Sequence, residues 1–357
     1  MSKARQLADL GNVYDDGALS NRNMLVNGAM VIDQRNSGTA ISSLGQYTTY
    51  TLDRWKYYSD QAAKFSFQQN QSSVTPPVGF TKYLGLTSLS AFSPATDETV
   101  TISQHVEGFN SAKLGWGTSD AITVSLSFWV RSSLTGTFSG ALIGGQNYIF
   151  TYSISSANTW EYKTITITGS TTGTWNTDNT SGVRVLFTLG YGSGQVGTAN
   201  AWQSADLAAS GSVQVAGTSG ATFYITGVQL EVGDTATPFE HRSYGDELAR
   251  CQRYYRLIGT YGDPYATQGN YILVDVTYNN ENRIIIPYLN PPMRTTPSVT
   301  HVNWSNGGTG ALTEFSTGTI RSQTNISEVS PLGGGYAQFD GNFGNPARYM
   351  AVFDAEL

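Results

Sequence analysis

The sequence predicts an all-β protein, and three observations carry that prediction. Charged residues make up 13% of the 357, about half the ~25% of an ordinary soluble chain. Aromatic residues reach 12%, with 21 Tyr, 15 Phe and 7 Trp, which is far too much core-forming material for a disordered chain. Ser, Thr, Asn, Gln and 39 glycines take the place of charge. Thr and Tyr suit a pleated, half-wet sheet, while Gly and Asn suit the turns between strands. Collagen and coiled coil are excluded by the same composition.

The elements follow in order. Ser2 to Leu10 reads as one short helix with Ala4, Leu7, Ala8 and Leu10 on one side, stopped by Gly11-Asn12. Nine or so residues do not hold a helix alone in water, so the segment is either a frayed tail or a peg that orders on a partner. From Met24 to about Glu240 strand follows strand. In Ala121–Arg131, Ile122, Val124, Leu126, Phe128 and Val130 alternate with polar positions and Trp129. Val183, Val185, Phe187 and Leu189 repeat the pattern, as do Ile165 and Ile167 within Trp160–Thr168. In Thr222–Val232 the parity slips at Gly227, which predicts a bulge. Short strands with one apolar face and Gly-rich turns predict a jelly-roll β-sandwich.

One sustained helix is predicted next, capped by Asp246 and closed by Gly259, with Leu248, Cys251, Tyr255 and Ile258 on one stripe. Such a helix is either a strut packed on one β region or a seam between copies of the chain. The β pattern then resumes: a hairpin of Tyr271–Tyr278 and Arg283–Leu289 around an Asn-rich loop, glycine punctuation at 307–308, 333–335 and 341–344, and a last strand near Tyr349–Leu357. The expected architecture is a short N-terminal helix, a jelly roll, a connecting helix and a second, smaller C-terminal β-sandwich. The corresponding spans are 1–23, 24–242, 243–259 and 260–357.

The net charge of −6 argues against sequence-independent nucleic-acid binding, which needs a basic face. One cysteine, Cys251, leaves no intramolecular disulfide framework and no cysteine zinc cluster. No run of 18 apolar residues occurs, so no membrane-spanning helix and no membrane insertion are expected. Met1–Leu10 lacks the apolar stretch of a secretory signal, and synthesis in a cytoplasm is the expectation.

Catalytic signatures are weak. His105, His241 and His301 have no ligand-spaced neighbours, and no Gly-x-Ser-x-Gly elbow is present. Gly192-Ser193-Gly194-Gln195-Val196-Gly197 matches the dinucleotide fingerprint, yet no helix pattern opens after it, so it reads as a loop. The close carboxylate pairs are Asp97-Glu98, Glu231 with Asp234, and Asp246-Glu247. No cofactor is expected, and calcium on the Asp-rich loops is left open.

An uncharged polar surface with many aromatics is itself a chemical signal. Sugars stack their C–H faces on Tyr or Trp while Asn, Asp, Gln and backbone groups meet the hydroxyls. Trp55, Tyr57, Tyr58 and Trp116 are candidates in the first β region, and Tyr261, Tyr265, Tyr271, Trp304 and Tyr336 in the last. Taken singly, each is better read as sandwich core, and the pooled excess of aromatics is the stronger signal.

Four stretches carry a family resemblance. They are the run from Leu230 to Tyr255 (LEVGDTATPFEHRSYGDELARCQRYY), Asn23–Met30 with Tyr50–Trp55 (YTLDRW), and Leu126–Arg131 (LSFWVR). Met1–Arg5 and the closing Phe353–Leu357 (FDAEL) add to it. Together they resemble tail-fibre proteins of tailed bacteriophages, most strongly over residues 24–255. The resemblance implies a non-enzymatic receptor-binding fibre, a homotrimer fixed to the phage tail, baseplate or an adaptor by its N-terminus. Its C-terminal domain would meet host cell-surface polysaccharide, and its middle would be a jelly roll like a carbohydrate-binding module. Under that reading Ala4, Leu7 and Leu10 become the virion anchor, Leu248, Cys251, Tyr255 and Ile258 line a three-fold axis, and the protein resides in the virion. A fibre-borne polysaccharide depolymerase or esterase is the alternative, and a structural spacer that binds another viral protein is a third reading.

Overall fold

The computed structural model describes residues 21–258, 272–274, 277–278, 281–302, 309–314, 320–340, 347–349 and 351–357. The chain divides into two compact units. The first holds the segment ending at Val31, then Ala40–Thr51 and Trp55–Ser243; the second holds Ile32–Thr39, Leu52–Arg54 and the chain from Tyr244 on. Two short pieces that sit early in the sequence thus belong to the second unit. The expected anchor residues Ala4, Leu7 and Leu10 lie outside the described residues.

The first unit is a jelly-roll β-sandwich. One sheet runs in the order β1 (Tyr47–Tyr50), β2 (Lys56–Ser59), β5 (Thr99–Glu107), β10 (Ser181–Tyr191), β7 (Gly136–Ile143), β8 (Asn147–Ile154), β12 (Trp202–Gln203). The other runs β3 (Phe65–Gln69), β4 (Leu84–Ser88), β14 (Thr222–Val232), β6 (Val124–Ser132), β9 (Glu161–Ile167). Alternation drives both, because each strand puts every second side chain into the space between the sheets. Phe128 of β6 meets Tyr152 of β8 at 5.0 Å and Phe187 of β10 at 4.9 Å between ring centroids, edge to face. Phe138 of β7 reaches Phe223 of β14 at 6.4 Å. The predicted bulge is present: the β14–β6 register shifts between Thr226 and Gln229, and Gly227 has φ +63°. A side chain at Gly227 would press on the Phe80 ring, so the bulge and the packing both require glycine there.

Between β10 and β14 the chain makes an excursion with a short parallel pair, β11 (Val196–Gly197) and β13 (Ala208–Ala209). The fingerprint-like Gly192–Gly197 segment is a tight turn entering β11 with no α-helix after it, as the sequence predicts. A single helical turn, α1 (Gly108–Ser111), follows β5.

The second unit opens on α2 (Tyr244–Gln252). Here the structure corrects the sequence reading. The helix ends at Gln252, and Tyr255–Ile258 is a strand, β15, paired antiparallel with β24 (Ala351–Asp354). The chain turns at Tyr254, whose backbone N–H bonds the Cys251 carbonyl at 2.9 Å. The remaining strands are β16 (Ile272–Val274), β17 (Thr277–Tyr278), β18 (Glu281–Ile285), β19 (Ser298–His301), β20 (Ala311–Glu314), β21 (Ile320–Ser327), β22 (Tyr336–Phe339) and β23 (Ala347–Tyr349). They form a three-stranded sheet, β15-β24-β19, and a seven-stranded one, β16-β23-β20-β21-β22-β18-β17. The predicted hairpin exists as β17–β18, with β18 beginning at Glu281 so that the loop is shorter than expected. Ile286, Leu289, Met293, Leu312, Phe339 and Phe353 form the core, and Ile258 and Val299 pack against it.

A cluster of buried charge lies inside this unit. Arg35 and Arg54, from the two early segments, both pair with Glu356, Arg35 at 3.0 Å. Each guanidinium also lies over a tyrosine ring: Arg54 is 3.4 Å from the Tyr254 centroid and Arg35 is 3.7 Å from that of Tyr255. Asp53 is fully buried and accepts bonds from the Gln34 N–H at 2.6 Å and Nε2 at 2.7 Å. Cys251 is fully buried, and burial pushes its thiol well above the ordinary range. The helical stripe assigned to a three-fold axis is therefore revised: Cys251 and Tyr255 are buried within one chain, and Ile258 packs on the unit's own core. The periodicity was real, but its last members belong to a strand, and the two tyrosines face arginines from residues 35 and 54.

Candidate functional site

Strand β18 lies beside β22, with Arg283 opposite Gln338 and Ile285 opposite Tyr336. A cleft of about 430 Å³ opens over this pair, lined by Arg283, Ile285, Glu328, Gly335 and Tyr336. The Arg283 guanidinium carbon lies 4.1 Å from the Tyr336 ring centroid. That distance is within cation–π range and fixes the ring against the strand. Ile285 is 64% exposed and Tyr288 is 84% exposed, so apolar surface faces solvent at this edge.

The connection from β21 to β22 builds the other wall. Glu328 holds φ +61°, and Gly333, Gly334 and Gly335 hold φ +77°, +73° and +77°. Consecutive left-handed positions are open to glycine at no steric cost, which explains the triplet. At Gly335 a side chain would collide with the Ser327 carbonyl oxygen, while a Cβ on Gly334 would lie 3.7 Å from the Tyr288 ring. Backbone held this way and aromatic rings left in water concentrate at ligand-binding edges. The cleft combines a flat ring, an exposed aliphatic side chain, a cationic donor and the Glu328 carboxylate as acceptor. Such a surface can stack on a sugar ring and bond its hydroxyls.

Of the five aromatics assigned to the last β region, Tyr336 lines this cleft; Tyr261, Tyr265, Tyr271 and Trp304 lie outside the described residues. The candidates in the first unit are corrected by burial. Trp55 and Tyr57 are fully buried, and the Trp55 indole N–H bonds the Asn27 carbonyl at 3.0 Å. Tyr58 donates to Asp60 at 2.7 Å, and that bond, with burial, pushes its hydroxyl up to about 12. Trp116 belongs to a group that sequence reasoning missed. Its ring meets Trp175 at 4.9 Å and Trp202 at 5.3 Å, and Tyr148 meets Trp202 at 5.2 Å. Each indole N–H of the three is bonded to a backbone carbonyl: Ile122, Thr172 and Thr168 respectively. Trp175 and Trp202 come from loop and two-residue strand contexts with no alternation to mark them.

Among the described residues, no group of three or more His, Cys, Asp or Glu is arranged to hold a metal ion, and no helix is long and apolar enough to cross a membrane. Of the carboxylate pairs, Glu231 is buried and accepts bonds from the Thr237 N–H and hydroxyl, a structural use.

No family model and no curated protein matches the sequence. Solved structures do show similarity. A tailspike protein 4 domain of bacteriophage CBA120 aligns over 59% of this chain and 22% of its own, at 11% identity and TM-score 0.33. The carbohydrate-binding module TmCBM61, solved with β-1,4-galactotriose, aligns over 60% of this chain and all of its own, at 12% identity and TM-score 0.30. A putative sugar-binding protein from Bacteroides thetaiotaomicron gives 59%, 100%, 10% and 0.34. At such distances the functional reading rests on the side chains themselves.

Proposed function

We propose that this chain is a non-enzymatic adhesin that attaches a tailed bacteriophage to glycan on the host surface through its second unit. The observation that carries the reading is the cleft of Tyr336, Arg283 and Glu328 with Ile285 and Tyr288 exposed at the same edge. Stacking and hydrogen-bonding groups are combined there on a glycine-built rim. The resemblance of residues 24–255 to tail fibres supplies the viral setting, with the N-terminal segment bound to the tail, residence in the virion, and assembly as a homotrimer. Any trimer is held by surface other than Cys251 and Tyr255.

A glycan array probed with the full chain and with Tyr336→Ala tests the binding half. A set of host-type glycans bound by the parent and lost in the variant is the expected result. Binding unchanged by the variant overturns this cleft as the site. Light scattering tests assembly, and a monomer mass overturns the trimer. The depolymerase alternative needs two carboxylates flanking a bond. Among the described residues, Glu328 is the one carboxylate lining the cleft. New reducing ends after incubation with host polysaccharide would favour that alternative.

A further inference from the structure

A second cleft, of about 240 Å³, lies on the first unit, far in sequence from the one above. Its centre is Arg184 on β10, the middle strand of the seven-stranded sheet. Arg184 stands opposite His105 of β5 on one side and Ile143 of β7 on the other. The three form one cross-strand row and project to one face. That face is the outer one, since the intervening Val185 and Phe187 are fully buried in the sandwich core.

Further along the same face the excursion after β10 covers the sheet. Thr188 donates to the Leu207 carbonyl at 2.9 Å, and the Ser139 and Ser212 hydroxyls bond at 2.9 Å. The cover does not extend over the Arg184 row, and the cleft lies there. Its side wall is Thr174–Asn176, held by Trp175 in the tryptophan group. The wall stands directly on the sheet. A side chain at Gly144 would strike the Trp175 ring, and one at Gly182 would strike the Ser111 hydroxyl. Asn176 donates to the Ser181 carbonyl at 3.0 Å, and the Ser181 hydroxyl bonds His105 Nδ1 at 2.7 Å.

Arg184 is the anomaly. It forms no ion pair among the described residues, and its Nε is buried with no hydrogen-bond partner. Burial alone pulls its pKa below the ordinary arginine value, with no neighbouring carboxylate raising it. Arg184 is half-buried, and a cation partly withdrawn from water without a counter-charge among the described residues carries a cost. At the same position an aliphatic side chain would continue the Leu186 pattern at no such cost. A planar fork of donors is, however, the best partner for an incoming carboxylate. The neighbouring Ser181, Asn176 and Thr174 offer what sugar hydroxyls need. The volume is below the ~300–1,000 Å³ of pockets for drug-sized ligands, which suits one monosaccharide unit.

We propose that the cleft around Arg184 is a separate binding site for the carboxylate of an acidic sugar unit. It stands independently of the Tyr336 cleft. Calorimetric titration of the full chain with an oligogalacturonate, the matching neutral oligogalactose and galactose 6-phosphate tests it. Oligogalacturonate is expected to bind at least tenfold more tightly than either of the others. Arg184→Met should erase that preference, and Arg184→Lys should weaken it severalfold because it keeps charge but loses the fork. Should the variants fail to fold, the parent protein decides by NMR: saturation with oligogalacturonate must shift the amides of Gly144, Gly145 and Gly182. Equal binding of neutral and acidic sugars, tighter binding of the phosphate, an unaffected Arg184→Met, or unshifted glycine amides would each overturn the proposal.

Discussion

Arg54 lies with its guanidinium over the Tyr254 ring and its charge against Glu356, so that residues 54, 254 and 356 meet in one buried site. These three come from the YTLDRW, LEV…RYY and FDAEL stretches of the sequence. Their common purpose in this structure is to close the second unit, whose segments Leu52–Arg54 and the C-terminal strand lie three hundred residues apart in sequence. Removing one member leaves opposite charge buried and unpaired, which costs about 3–5 kcal/mol. Glu356→Ala, which leaves Arg35 only its longer pair with Asp354 at 3.6 Å, is expected to lower stability by that order in urea unfolding. The paired replacement Arg54→Met with Glu356→Leu is expected to recover most of the loss. A single-variant loss well under 1 kcal/mol would show that water reaches the site.

Asp53 adds a pH dependence of defined sign. Burial raises its carboxyl from 3.8 to about 6 in the folded unit, against the lowering effect of Arg35 and the Gln34 bonds. Between those two values the folded state binds more protons than the unfolded one, so stability falls as pH rises. The full contribution is present below pH 4 and lost above pH 6, a span of about 3 kcal/mol. Asp53→Asn keeps an acceptor for Gln34 and removes the titration. The unfolding free energy of the parent should therefore fall relative to that of the variant as pH goes from 4 to 6.5. A difference constant with pH would place the Asp53 titration elsewhere.

His301 slopes the other way. Its ring is fully buried, edge-on to Phe339 at 5.3 Å, with Nδ1 bonded to the Gln323 amide oxygen at 2.6 Å. Burial lowers its pKa below 6.5 despite that bond. The neutral ring is favoured in the fold, so its contribution is intact above pH 6.5 and lost as pH falls through the folded value. Following the C2–H resonance during acid titration checks this: an inflection at or above 6.5 would contradict it.

The fold class was legible because alternation is a local property: Phe128, Val130, Phe187 and Ile225 announce their face within five residues. The bulge at Gly227 was legible for the same reason. The helix end was not. Cys251, Tyr255 and Ile258 keep helical spacing, and what bends the chain at Tyr254 is contact with arginines two hundred residues away. The aromatic candidates divided similarly. Trp55 and Tyr57 share one parity and both are buried, Tyr57 from the strand and Trp55 from just before it, where its indole is bonded to Asn27. Arg184 and Arg283 carry the two clefts, and nothing in their local sequence separates them from any other arginine on a strand. Only the registers opposite His105 and Gln338 give them their places.

Gly335 offers the sharpest test of the Tyr336 cleft. Its φ of +77° lies in the left-handed region, and a Cβ there would strike the Ser327 carbonyl. A left-handed residue other than glycine costs about 1–2 kcal/mol before any collision. Gly335→Ala should therefore move the β21–β22 connection, carrying Glu328 and the start of β22 away from Arg283. The second unit is expected to lose about 2 kcal/mol or more of stability, and the chain at least tenfold in glycan affinity. The first unit, which shares no residue with this wall, should melt as in the parent. Gly310→Ala is the matched control: it has φ +72° and no atom within 4 Å of the added carbon. It should show the backbone cost alone and keep its binding. Equal binding losses in the two variants would mean that general weakening of the unit, rather than the shape of the cleft, decides affinity.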